Sequence, residues 1–177
     1  MLLGPALRKF TLTLHIVASV GWIGAVAGFI VLDLATVYSD EAALLRASYI
    51  GMDLVTRWAI VPLAFAAGVS GIVMSLGTKW GLFRHWWVVV TLVLTAVATL
   101  VLMVQLPVIA HRAAMAQDAT VTDAELRSMG NLLLHSIGGT VVLLIITVLN
   151  VYKPRGLTRY GWRKQQEEAT RTGPVSP

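Results

Sequence analysis

The sequence predicts an all-α membrane protein: four transmembrane helices in an antiparallel bundle, with both termini on the cytoplasmic side. Three observations predict it. Of 177 residues, 56% are apolar and 13% charged, and the mean hydropathy is +0.74, far from the composition of a soluble domain. Four apolar blocks, at residues 10–33, 58–77, 86–110 and 131–152, each reach the roughly 20 residues that cross about 30 Å of hydrocarbon. The charges lie between the blocks and sort by side. One side collects Arg8, Lys9, Lys79, Arg84, Lys153, Arg155, Arg159, Arg163, Lys164 and Arg171 against only Glu167 and Glu168. The other carries Arg46, Arg57, Arg112 and Arg127 against Asp33, Asp40, Glu41, Asp53, Asp118, Asp123 and Glu125. Retention of Lys and Arg in cytoplasmic segments then puts both termini inside a bacterial inner membrane.

The first block follows Arg8 and Lys9 but is too long for a signal-peptide core and closes on Asp33, so an uncleaved anchor is expected. Between the first two blocks, Leu44, Leu45, Ala47, Tyr49, Ile50 and Leu54 alternate with charges, the pattern of a short amphipathic helix lying on the membrane surface. The second block starts at Trp58 and the third at Trp86 and Trp87, and Trp80 and Trp162 also sit where amphipathic rings settle at headgroup level. After the third block, Thr122 followed by Glu125 makes a capping box that starts another turn of helix. The chain divides into a transmembrane domain, 1–153, and a basic cytoplasmic tail, 154–177, whose residues 170–177 are expected to be disordered. That basic tail is a membrane-surface and topology device rather than a nucleic-acid arm.

Membrane helices associate through small residues, and Gly21, Gly24, Gly28, Gly68, Gly71, Gly138 and Gly139 supply candidate seams. Pro62 and Pro107 are expected to bend the second and third spans.

With no cysteine, the chain has no disulfides, thiolate metal sites, iron–sulfur clusters or covalent haem. Histidine inside a bilayer is then the leading functional signal. His15 lies in the inner part of the first span, with Ser19 and Trp22 following on the same face; His135 lies near the outer end of the fourth span and His111 just beyond the third. His15 and His135 differ in depth by roughly 15 Å and cannot share one iron. His111 and His135 lie at similar depth and are a candidate outer metal or cofactor site. His85, beside Arg84, reads as a headgroup-level residue. His85 and His111 are too far apart on one helix for a two-haem wire.

Thr91, Thr95 and Thr99 form a stripe on the third span, with Thr147 and Asn150 on the fourth. Two readings are open: a polar pocket with His15 and Ser19, or hydroxyls bonded back to carbonyls one turn earlier. Copper(I) ligation rests on His111 and Met115 alone, since the other methionines are scattered.

The segment Leu14-His15-Ile16-Val17 with Trp22 and Gly24, then Arg57 to Pro62, then Trp87 onward, resembles the bacterial membrane superfamily of HemJ-type protoporphyrinogen oxidases and copper-resistance D proteins. Over nearly its whole length, especially Gly81 to Thr99 and Val151 to Gly161, the chain more closely resembles an actinobacterial family of predicted integral membrane proteins without an established activity. The HemJ-type resemblance implies a b-type haem or porphyrin site built from a first-span His and a third-span Lys. His15 matches the first, but the lysine position falls on Thr91, which argues against porphyrinogen oxidation and leaves single-His haem binding open. Leu134-His135-Ser136-Ile137-Gly138-Gly139 fits the second family's pattern and adds weight to His135.

The expected function is therefore a small haem b-binding or redox membrane module, with His15, Ser19, Trp22, Thr91, His111 and His135 as cofactor-binding candidates. The missing lysine tilts the reading away from an enzyme. The alternative is a non-catalytic scaffold or accessory subunit, working as a homodimer or with a membrane partner. A transporter is disfavoured, because four spans without an inverted repeat offer no obvious conduit.

Overall fold

The computed structural model describes residues 3–78 and 80–171, and among them the only regular elements are helices. They are α1 (Pro5–Tyr38), α2 (Ala42–Val55), a π-helical turn (Thr56–Ile60), α3 (Val61–Gly77), α4 (Trp86–Gln117), α5 (Asp123–Ser128), α6 (Leu133–Tyr152) and α7 (Arg159–Arg171). Four continuous helices are long and apolar enough to cross a membrane: α1, the joined stretch Ala42–Gly77, α4 and α6. Each coincides with one apolar block, and the first three run well past it at the end opposite the termini. Of the segment 170–177 expected to be disordered, Thr170 and Arg171 close α7, and 172–177 lie outside the described residues.

The amphipathic helix expected on the membrane surface exists as α2, but it prolongs the second span instead of lying flat. Its apolar stripe meets protein: Leu45, Tyr49 and Met52 are each at most 2% exposed, packed between the extended ends of α1 and α4. The π turn keeps that stripe in phase. Buried positions run Met52, Thr56, Ile60, Ala64, three steps of four residues, which would drift roughly 120° around a straight α-helix. A wider turn absorbs the drift, and it ends where Pro62, in the first turn of α3, has no N–H to give. Pro107 sits inside α4, which continues to Gln117.

The core is a stripe on α1, Ala18, Trp22, Val26 and Phe29, continued at the loop end by Leu45, Tyr49, Met52, Ile109, Ala116, Leu126 and Leu132. The outward faces stay apolar, with Phe10, Val31, Leu100 and Leu134 exposed, as suits helices whose surroundings are hydrocarbon. Glycine seams are used selectively. A methyl group on Gly21 would stand 3.3 Å from Leu63 and one on Gly71 3.2 Å from His15, whereas at Gly24, Gly28, Gly138 and Gly139 it would meet nothing within 4 Å.

Polar bonds close the loop end. The Arg46 guanidinium donates to the carbonyls of Ala116 (3.1 Å), Asp118 (3.0 Å) and Val121 and to the Asp123 carboxylate (3.2 Å). The Tyr49 hydroxyl is shared between the carbonyls of Leu126 (3.3 Å) and Gly130 (3.1 Å), and Arg127 donates to Ser39 (2.8 Å). The capping box forms at α5, with Thr122 Oγ accepting from Glu125 N and the Glu125 carboxylate accepting from Thr122 N.

At the terminal end the tail folds back on the loop between α3 and α4. Trp86 N donates to the Gly156 carbonyl (3.2 Å) and Thr158 N to that of Arg84 (3.1 Å). Gly161 lies so close to the Arg84 carbonyl that a Cβ would overlap it, and Arg84 grips both Glu168 oxygens at 3.0 and 2.9 Å.

Candidate functional site

His15 faces α3. Its Nδ1 lies 3.1 Å from the Ala67 carbonyl and 3.0 Å from Ser70 Oγ. A carbonyl only accepts, and the Ser70 hydroxyl spends its hydrogen on the carbonyls of Ala66 and Ala67, so Nδ1 must donate. The proton of a neutral ring is thereby fixed on Nδ1. Gly71 makes room for the ring's edge.

Four of the polar groups on α4 and α6 turn to their own helices. Thr91 Oγ donates to the Val88 carbonyl (3.0 Å), Thr99 to Thr95 (2.8 Å), Thr147 to Leu143 (2.8 Å), and the Asn150 amide to Ile146 (2.9 Å). These four groups bond within their own helices, as the second of the two readings open from sequence has it, while the Thr95 hydroxyl makes no hydrogen bond among the described residues. Thr91 is also buried, at 7% exposure.

A cavity lies between α1, the π turn, α4 and α6, in the half of the bundle near the loop end. It is a cleft of about 370 Å³ whose walls include Trp22, Phe29, Val101, Ile109 and Leu143. Its cause is legible in α6. Gly138 and Gly139 line the cleft without side chains, and Ser136 and Leu143 are the buried positions of that helix. Four polar side chains line it: Thr56, Gln105, His135 and Ser136. Two are already spent, Thr56 Oγ on the Met52 carbonyl (2.7 Å) and Ser136 Oγ on those of Leu132 and Leu133 (3.4 and 3.3 Å). The Gln105 amide and the His135 ring make no hydrogen bond or ion pair among the described residues.

Of the sequence candidates, Trp22 and His135 thus meet in one cleft, while His15 and Thr91 lie apart from it. His111 is exposed, two residues from buried Ala113 and so on the far side of α4, and is not among the cleft-lining residues. Ser19 is partly buried and also outside the lining. No group of three His, Cys, Asp or Glu side chains able to hold a metal occurs among the described residues. The pair implied by the HemJ-type resemblance does not suit a haem here, because His15 is turned to α3 and Thr91 is bonded to its own helix. The cleft offers one imidazole and, in its lining, no cation to meet propionates.

Two residues gained importance over the sequence reading. Gln105 has no good partner by spacing on α4; only the approach of α6 brings it to the same cleft as His135. Asp33, read from sequence as the end of an apolar block, is fully buried. The signal was present: Trp22, Val26, Phe29 and Asp33 share one helical stripe, so the carboxylate points where the core points.

The chain matches no protein-family model, no curated protein and no solved structure. The class is therefore defined by the fold alone, an all-helical integral membrane protein with four candidate spans.

Proposed function

We propose that the protein is a small membrane module that takes an uncharged, lipid-soluble molecule from the bilayer into the cleft between α1, α4 and α6, where His135 and Gln105 contact its polar head. One observation carries this: two polar side chains without partners among the described residues line a cleft whose other walls are apolar or already hydrogen-bonded. Polar groups at membrane depth are costly unless paired, and a ligand head with carbonyl or hydroxyl oxygens would pair them. Quinones are the redox-active molecules of that description. Haem b is the second candidate, because the His135 ring is an available axial ligand, although no lining residue suits its propionates. His15 belongs to the packing of α1 on α3 in this reading.

We propose a bacterial inner membrane with both termini in the cytoplasm; the ten cations that the sequence assigns to that side support it. A reporter fused after Pro177 tests it: green-fluorescent-protein signal agrees, and alkaline-phosphatase activity disagrees.

The ligand is tested by an air-oxidised and dithionite-reduced spectrum of the purified protein, with mass spectrometry of its organic extract. A stoichiometric quinone-type molecule supports the reading. A Soret band that sharpens on reduction assigns haem b instead. A colourless protein with an empty extract, repeated after supplementation with both, removes the module and leaves the scaffold.

A further inference from the structure

A second cavity, of about 970 Å³, opens at the terminal end, where α3, α4 and α6 all stop. Its walls come from the α3–α4 loop, the residues after α6, and α7. Trp80, Arg84, Trp87, Lys153, Arg155 and Glu168 carry its chemistry.

The charges do not balance. Glu168 is the one carboxylate in the lining, and both its oxygens are held by Arg84. Lys153 Nζ stands 5.5 Å from the centre of the Trp80 ring, a cation–π contact that orients the ammonium without neutralising it. Arg155 is exposed and has no ion pair among the described residues. Among the described residues, two positive charges therefore face one cavity with no carboxylate of its lining left for them.

An independent observation points to what would fill it. Trp87 is 8% exposed, and its indole Nε1 is buried with no acceptor among the described residues. Buried indole N–H groups find partners, so an orphan in a cationic cavity wall asks for an acceptor from outside the chain. Lys153 is the left-handed C-cap of α6 (φ 46°), its N–H closing on the Leu149 carbonyl, a common way for a helix to end.

Depth selects the source of the anion. Phe83, Trp86, Tyr152 and Trp162, around the same level, are all more than half exposed, as aromatic side chains are where they sit among headgroups. We propose that this cavity binds a phosphate group, that of an anionic phospholipid, with Arg155 and Lys153 supplying charge and the Trp87 indole donating to a phosphate oxygen.

Native mass spectrometry of the detergent-solubilised full chain tests it, with phosphatidylglycerol, phosphatidylcholine and inorganic phosphate as probes. The expected result is retention of phosphatidylglycerol over phosphatidylcholine, weakened about fivefold by R155A and about tenfold by W87F. R163A, which removes a tail charge outside the cavity lining, leaves retention unchanged. Arg155 is exposed, so R155A decides the matter even where W87F disturbs packing. Competition by millimolar inorganic phosphate supports the phosphate chemistry, and phosphate binding without lipid preference assigns the occupant to solution. Equal binding of the two lipids by the wild type without phosphate binding, or phosphatidylglycerol retention unchanged in R155A, overturns the proposal.

Discussion

The Asp33 carboxylate accepts the backbone N–H of Leu132 on both oxygens, at 3.1 Å each, so that a residue of α1 caps the start of α6 across 99 positions of sequence. The carboxylate is fully buried, and Arg112 lies within electrostatic reach of it. A negative group at a helix start also meets the positive end of the helix dipole. This contact, together with the bonds that Tyr49 and Arg112 make to the Gly130 carbonyl, holds the start of α6, and hence the wall of the cleft that carries His135.

Asp33→Ala should therefore destabilise the protein by about 1–3 kcal/mol, through loss of the cap and an unpaired N–H. Asp33→Asn keeps an acceptor and should cost about half as much. Thermal unfolding in detergent reads both, and equal stability of D33A and wild type contradicts the capping role.

His15 and His135 should behave oppositely. His15→Ala removes the interhelical bonds to Ala67 and Ser70 and should cost about 1–2 kcal/mol, the upper range for such bonds in membranes. It should leave the content of the cleft unchanged. His135→Ala, at an exposed position with no internal partner, should leave stability within about 0.5 kcal/mol and empty the cleft. Parallel melting curves and extracts of the two variants check the crossover.

Arg46→Ala should loosen the loop end, since four groups on the segment from Ala116 to Asp123 lose a common donor. The expected cost is about 1–3 kcal/mol. Amide hydrogen exchange should rise most around residues 118–128, and a rise spread evenly over the spans would count against a local clamp.

The tail should respond to acid. The Arg84 guanidinium holds the Glu168 carboxyl below its ordinary value of 4.5, so the ionised form favours docking of α7. A lowered folded value means that this contribution is complete above 4.5 and fades as the pH falls below it, through the folded value. Exchange at α7 amides, corrected for intrinsic rates, should increase there in wild type and lose that dependence in E168Q. A pH response retained by E168Q would assign it to another group.

The all-helical character and the four candidate spans were legible because composition and block length leave few alternatives, and the capping box at Thr122 and Glu125 announced α5. The π turn was not, because it follows from a phase mismatch between Met52 and Ala64 that matters only once α2 and α3 are one helix. Surface placement of α2 failed for a related reason: an apolar stripe at Leu45, Tyr49 and Met52 reads the same whether it meets lipid or the extended ends of α1 and α4. Of the residues lining the cleft, Trp22 and His135 stood out in the sequence as an aromatic and an imidazole within apolar blocks. Gln105 was not, because its relation to His135 depends on how α4 and α6 approach. The threonine hydroxyls could turn to their own helix or to a neighbour, a choice that spacing leaves open.

The most direct test of the central claim uses Gly139, which lines the cleft and where an added Cβ meets nothing within 4 Å. Gly139→Leu adds a side chain at a wall of the cleft where the first added atom meets open space. Wild type and G139L would be purified side by side and their organic extracts compared by mass spectrometry, with melting temperature recorded on the same samples. The account predicts a stoichiometric lipid-soluble molecule in the wild type and its loss from G139L at closely similar stability. The same molecule retained in full by folded G139L would contradict it.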